Sequence, residues 1–185
     1  MRSRHAALAL ALALSPVPAA AQTIAPIRVE DSAVEGSPVR RARAVVEYRL
    51  PFERVAAKLL DYQGYPTFMR RFRRAQIVRR NRAETDVYFE IALPDSLGNF
   101  WFLHRMHVTR SADRLLIDGV SQGGNAGHVE TRIELTRAGR DACTLSFSLY
   151  ALPTVPVLPT SVNQLLRQAV VGGAHQLRQA VEGAP

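Results

Sequence analysis

The amino-acid sequence predicts an α+β fold: a curved, antiparallel, seven-stranded sheet wrapped around one long C-terminal helix, with one or two short helices after the first strand. Three observations predict it. Between Val39 and Ala151, apolar and polar residues alternate in seven runs, the period of half-buried strands. The breaks between the last six runs are short, which favours antiparallel hairpins over crossovers. After Pro159 the spacing of apolar residues changes to that of an amphipathic helix running to Val181.

The elements follow in order. Ala42, Ala44, Val46, Tyr48 and Leu50 alternate with Arg41, Arg43, Val45, Glu47 and Arg49, and Pro51 ends the strand. Val55, Ala56, Leu59 and Leu60 then form a helical stripe within 52–61, and Gly64 and Pro66 open a short second helix over 65–69. Six more strands fall at about 73–80, 85–93, 99–110, 114–121, 128–137 and 142–151. Three prolines in Leu152–Pro159 stop the meander. Thr160 or Ser161 is placed to cap the last helix. Its apolar positions include Val162, Leu165, Leu166, Ala169, Val170, Leu177 and Val181. Gly172 and Gly173 lie mid-helix, where each costs up to about 1 kcal/mol relative to Ala. A close-approaching strand or ligand would explain them, and so would a simple kink.

Residues 1–21 read as a secretory leader. Arg2 and Arg4 precede an apolar run over 6–14, Pro16 and Pro18 break it, and Ala19–Ala21 supply the small residues of a cleavage site. The run is too short to span a bilayer, which takes about 20 residues. The expected organisation is a leader over 1–21, a lead-in over 22–38 with room for a short strand near Ile27–Val29, and one domain over 39–182. Cys143 is the only cysteine, so no internal disulfide forms and the fold stands on packing.

The formal net charge is +8, and of 24 basic residues only Lys58 is a lysine. Arg70, Arg71, Arg73, Arg74, Arg79, Arg80 and Arg82 crowd into thirteen positions. Such a cluster is either a solvated strand face or a contact for an anionic membrane surface. An exported chain rarely meets nucleic acid, so no nucleic-acid partner is expected.

The stretch Val55–Met69 carries an Asp61-Tyr62 pair ahead of Tyr65-Pro66 and Phe68-Met69. With the Leu-Pro-rich turn at 152–159, it resembles the START-like superfamily (SRPBCC), which also holds polyketide cyclases, the birch-pollen-allergen fold and coenzyme-Q-binding proteins. The resemblance spans about 39–181 and is closest in character to the coenzyme-Q-binding type. Arg70 departs from it, standing where relatives usually have proline. The resemblance implies a helix-grip fold whose space between sheet and long helix binds sterols, phospholipids, quinones or polyketides. It does not choose between carrier and enzyme.

Alternation assigns the inward face. Tyr48, Phe89, Phe102, His104, Met106, Ile117, Thr131, Ile133, Phe147 and Leu149 on the strands, with Leu166 and Val170 on the helix, are the expected ligand-binding residues. Such a lining suits an apolar ligand with a few polar anchors, here Tyr48, His104 and Thr131. The competing reading is an ordinary filled core. No metal site is expected: His104 and His107 fall on opposite strand faces, and His128 and His175 have no clustered partners. Cys143 alternates with Leu145 and Phe147 as a buried hydrophobe. No Gly-x-Ser-x-Gly elbow occurs, and Gly123-Gly124-Asn125 lacks the strand–loop–helix context of a phosphate cradle. Asp86, Glu90, Glu130 and Glu134 should face solvent, leaving His104 as the one group poised for proton transfer. No catalytic set and no cofactor is expected. The sequence therefore supports an exported binding or carrier protein for a hydrophobic small molecule or lipid. Two alternatives stay open: a cyclase-type enzyme using His104 and Tyr48, and an envelope interaction module with nothing bound inside.

Overall fold

The structure, a computed structural model, describes residues 26–93 and 98–183. The leader expected over 1–21 and most of the break expected over 94–98 lie outside the described residues.

The strand pattern folds into one antiparallel sheet of eight strands in the order β1-β2-β8-β7-β6-β5-β4-β3. These are β1 (Arg28–Val34), β2 (Ser37–Tyr48), β3 (Phe72–Arg80), β4 (Glu84–Ala92), β5 (Asn99–Arg110), β6 (Arg114–Gly124), β7 (His128–Gly139) and β8 (Ala142–Leu152). From β3 to β8 each strand pairs with the next, and β8 closes onto β2 with Ala42 opposite Leu149 and Tyr48 opposite Cys143. The expected count of seven is corrected to eight. The lead-in contributes β1, which turns into β2 through Glu35-Gly36 with Gly36 at φ +70°, a left-handed conformation cheap only for glycine.

Helix α1 (Phe52–Leu60) starts from Pro51, whose carbonyl accepts the N–H groups of Arg54 and Val55. It buries Phe52, Val55, Ala56 and Leu59, one stripe of its surface. A 3-10 turn (Tyr62–Gly64), held by the Asp61 carboxylate accepting from Gly64 N–H at 3.1 Å, leads into α2 (Tyr65–Phe68). The long helix α3 (Pro159–Glu182) lies along β2 and β8 inside the curve of the sheet. Its expected cap is corrected. Pro159 occupies the first helical position and Leu158 the cap position, with no side-chain cap. Proline's fixed φ and missing N–H suit that place, so no Thr or Ser cap is needed.

The two edge strands are guarded differently. β1 contributes Asp31 to an ion pair with Arg167 of α3. β3 carries two bulges and four exposed arginines, features that discourage pairing with another sheet.

Candidate functional site

Residues on the inward face should be fully buried if the helix filled the curve. Leu145 and Val87 are, but Phe147, Leu149, Ile91 and Phe72 on the same face stay half-buried. What they face is space. A cavity of about 300 Å³ lies between the sheet and α3. α2 closes one side with Tyr65, whose ring stacks on Phe89 at 5.9 Å and meets Phe72 edge-on at 5.6 Å. The Tyr65 hydroxyl donates to the Leu59 carbonyl at 2.7 Å, and burial pushes its pKa well above the ordinary phenol value.

The helix wall is built by small residues. Ala169, Gly172, Gly173 and Ala174 present nearly bare backbone to the cavity. A Cβ on Gly172 would meet nothing within 4 Å, whereas one on Gly173 would sit 3.4 Å from Phe147 Cε1. Gln168 and Arg71 are the exposed members of the lining and mark its mouth. Beside them the Gln176 side-chain oxygen accepts the Arg70 N–H at 2.9 Å, tying α3 to the residues that lead into β3.

Of the residues expected inward, Phe89, Phe102, His104, Met106, Thr131, Ile133, Phe147 and Leu149 come together around this cavity. Four do not. Tyr48 is buried at the far end of β2, opposite Cys143, with the Arg178 guanidinium 5.8 Å from its ring. Burial raises its pKa, Arg178 opposes that, and its hydroxyl has no hydrogen-bond partner among the described residues. Ile117 lies between Val108 and Ile133 and is wholly buried. Leu166 and Val170 belong to the apolar stripe of α3 that packs into the core. Alternation names a face but not a depth, and α1 with the last turns of α3 fills the end where Tyr48 sits. Sequence reasoning left Tyr65, Met69 and Phe72 out of the site, and it marked Gly172 and Gly173 as a close approach of strand or ligand or a kink without naming the small-residue face of α3 as a cavity wall. The signal for that face was present in the spacing of Ala169, Gly172, Gly173 and Gln176, one helical turn apart.

Deep in the cavity wall, His104 Nε2 is 3.0 Å from Thr131 Oγ1. The imidazole is 1% exposed and packs against Phe102 at 5.3 Å. Burial, with His128 adding a smaller push, lowers its pKa to about 4, so the ring is neutral at ordinary pH. The pair stands over bare backbone. A Cβ on Gly119 would fall 2.3 Å from Nε2 and 2.5 Å from Oγ1.

The outer face holds one further correction. Asp86, expected in solvent, has a side chain only 7% exposed, clasped by Arg79 Nε and Arg105 Nε, each at 2.9 Å. The hydrogen bond from Arg105 comes first among the causes that hold its carboxyl below the usual range. Arginines flank it from neighbouring strands, and their long side chains cover the carboxylate. Among the described residues no group of three or more His, Cys, Asp or Glu side chains could hold a metal ion.

No protein-family model and no curated protein sequence matches the chain. Solved structures do match in shape. The STAR-related lipid transfer protein of Xanthomonas axonopodis (fragment 25–204) superposes with a TM-score of 0.74 at 17% identity, covering 84% of this chain and 93% of that one. Human STARD10 gives 0.77 at 15% identity over 88% of this chain and 72% of its own. The Zhui aromatase/cyclase of a Streptomyces species gives 0.60 at 13% identity over 77% and 93%. Identities this low speak for shape alone. An eight-stranded antiparallel sheet curved around one long C-terminal helix, with short helices after the second strand, is the START-like helix-grip fold, and this chain has it.

Proposed function

We propose that the chain is an exported binding or carrier protein for a hydrophobic, lipid-like molecule held between the sheet and α3. The observation that carries this reading is the cavity itself: its walls are aromatic and aliphatic, and glycines thin the helix facing it. The name of one structural neighbour, a lipid transfer protein, agrees with it. A cyclase reading requires His104 and Tyr48 to act together. Tyr48 lies outside the cavity lining, and a neutral His104 with a depressed pKa is a weak base. Export rests on the leader pattern of residues 1–21.

A membrane contact fits the same reading. Arg70, Arg71, Arg73 and Arg74 are exposed beside the cavity mouth, and at the same end of the sheet exposed Leu152 ends β8 and exposed Val155, Val157 and Leu158 follow it. That pairing of charge with apolar side chains suits the anionic face of a bilayer.

The test is purification without detergent, then native mass spectrometry and solvent extraction. A defined apolar mass near one per chain is expected. An empty protein that also rejects lipids, quinones and fatty-acyl probes would overturn the proposal.

A further inference from the structure

An apolar cavity tells little about which apolar molecule it takes; its polar atoms tell more. Six polar side chains line this one: Tyr65, Arg71, His104, Thr131, Gln168 and Gln176. The Tyr65 hydroxyl is spent on the Leu59 carbonyl. The Gln176 oxygen is held by the Arg70 N–H beside the mouth, where Arg71 and Gln168 stand exposed. That leaves His104 and Thr131 as the interior pair.

Their mutual bond leaves capacity over in either tautomer. With the proton on Nε2, the ring donates to Thr131 Oγ1, leaving the threonine O–H as a free donor and Nδ1 as a free acceptor. With the proton on Nδ1, the threonine donates to Nε2, leaving the Nδ1–H as a free donor and Oγ1 as a free acceptor. Nδ1 is buried without a partner, whereas Thr131 is a half-buried residue of the lining, so the threonine hydroxyl, oriented by the imidazole, is the group a ligand meets. A buried polar atom left unpaired costs about 1–3 kcal/mol. Gly119 adds to the case, since any side chain there would displace both members of the pair.

We propose that His104 and Thr131 form the subsite that holds one uncharged oxygen of the ligand, a hydroxyl or a carbonyl, at the inner end of the cavity. This rests on the reading of the cavity as a ligand site. An ionised carboxylate or phosphate fits poorly there. Burying it without a cation is costly, the only cation in the lining among the described residues is Arg71 at the mouth, and the buried imidazole resists protonation. Size narrows the class further. At roughly 30 Å³ per water-sized group, 300 Å³ takes about ten such groups. The ligand portion enclosed is therefore a medium-length chain or a compact ring system ending in a neutral oxygen, with any charged group left outside near Arg71.

Three probes of equal chain length test this: 1-decanol, 2-decanone and decanoate, each competing with the hydrocarbon reporter diphenylhexatriene on the purified protein at neutral pH. The two neutral probes are expected to displace the reporter at concentrations at least about tenfold lower than decanoate, the ratio that about 1.4 kcal/mol produces. Thr131→Val keeps the side-chain shape, and both it and His104→Leu should cut that preference to under about threefold, each probe being referred to the variant's own reporter affinity. Should His104→Leu fail to fold, Thr131→Val decides the matter. Decanoate competing as well as the alcohol, or a preference that survives Thr131→Val, overturns the subsite alone. Failure of the reporter and all three probes to bind overturns the carrier reading and this assignment with it.

Discussion

Gly172 offers the sharpest test of the cavity, because stability and binding should move in opposite directions there. The residue lies in the interior of α3, where glycine costs about 0.8–1.0 kcal/mol relative to alanine. A Cβ at this position meets no atom within 4 Å, so Gly172→Ala gains helix propensity with no clash to offset it. The expected result is a stabilisation of about 1 kcal/mol, which for a domain of this size raises Tm by roughly 2–4 °C. Urea unfolding followed by far-ultraviolet circular dichroism should show a higher midpoint with an unchanged slope. Gly173→Ala should gain less, since its methyl would press to 3.4 Å from Phe147 Cε1. Gly172→Phe should retain native stability and lose ligand, because the ring would occupy the space now empty. A Gly172→Ala protein no more stable than the parent would refute the reasoning, for it would mean that the position is not an open helix interior. Retention of ligand by Gly172→Phe would show that the ligand does not use this cavity.

The other predictions concern buried chemistry and charge. His104 titrates at about 4 when folded against an ordinary 6.5; neutrality therefore stabilises the fold above pH 6.5, and up to roughly 3 kcal/mol is lost as pH falls from 6.5 towards 4. His104→Leu should flatten that slope in pH-dependent unfolding, and an unchanged slope would exclude this histidine as its source. Gly119→Ala should cost about 1–3 kcal/mol by overpacking, and combined with His104→Ala should cost less than the sum of the two, whereas strict additivity would mean they do not touch. Cys143 is 1% exposed and burial lifts its thiol to about 11; a thiol reagent at neutral pH should label it only as fast as the chain opens, so rapid native labelling would contradict the structure. Replacing Arg70, Arg71, Arg73 and Arg74 by Gln should remove about 1 kcal/mol of anionic-vesicle binding per residue without changing stability. Equal sedimentation of parent and variant with such vesicles would end the membrane proposal.

The regular parts of this fold were legible because one force dominates them. β5 was expected and found over residues 99–110, since Phe100, Phe102, His104 and Met106 alternate across a sheet with one covered face. β1 was legible only as a short strand near Ile27–Val29. It is an edge strand with no buried residue, and its inward position 31 is an aspartate satisfied by Arg167. An ion pair across more than a hundred residues leaves no local apolar pattern. Asp86 failed for a similar reason. Its shelter comes from Arg79 and Arg105 on two neighbouring strands, so the pairing depends on register. The cavity was half legible. Its strand wall follows from alternation, but its depth and its helix wall depend on where α1 and α3 settle.

What the sequence leaves unfilled speaks for a cavity that is used. Empty apolar volume in a protein interior costs on the order of 24 cal/mol per Å³, so 300 Å³ forgoes on the order of 7 kcal/mol of packing. A domain's whole stability is typically only 5–15 kcal/mol. The means of filling the space are ordinary: Leu in place of Ala169 or Gly172 would reach into it from a helix that already carries Leu165, Leu166 and Leu177. Instead the helix presents glycine and alanine on one face and large apolar residues on the next. The glycines also weaken the helix that bears them. Two independent costs at the same place, one in packing and one in helix propensity, are hard to reconcile with an inert core. They are expected of a wall that must stay clear for a molecule whose own binding energy returns what the empty fold gives up.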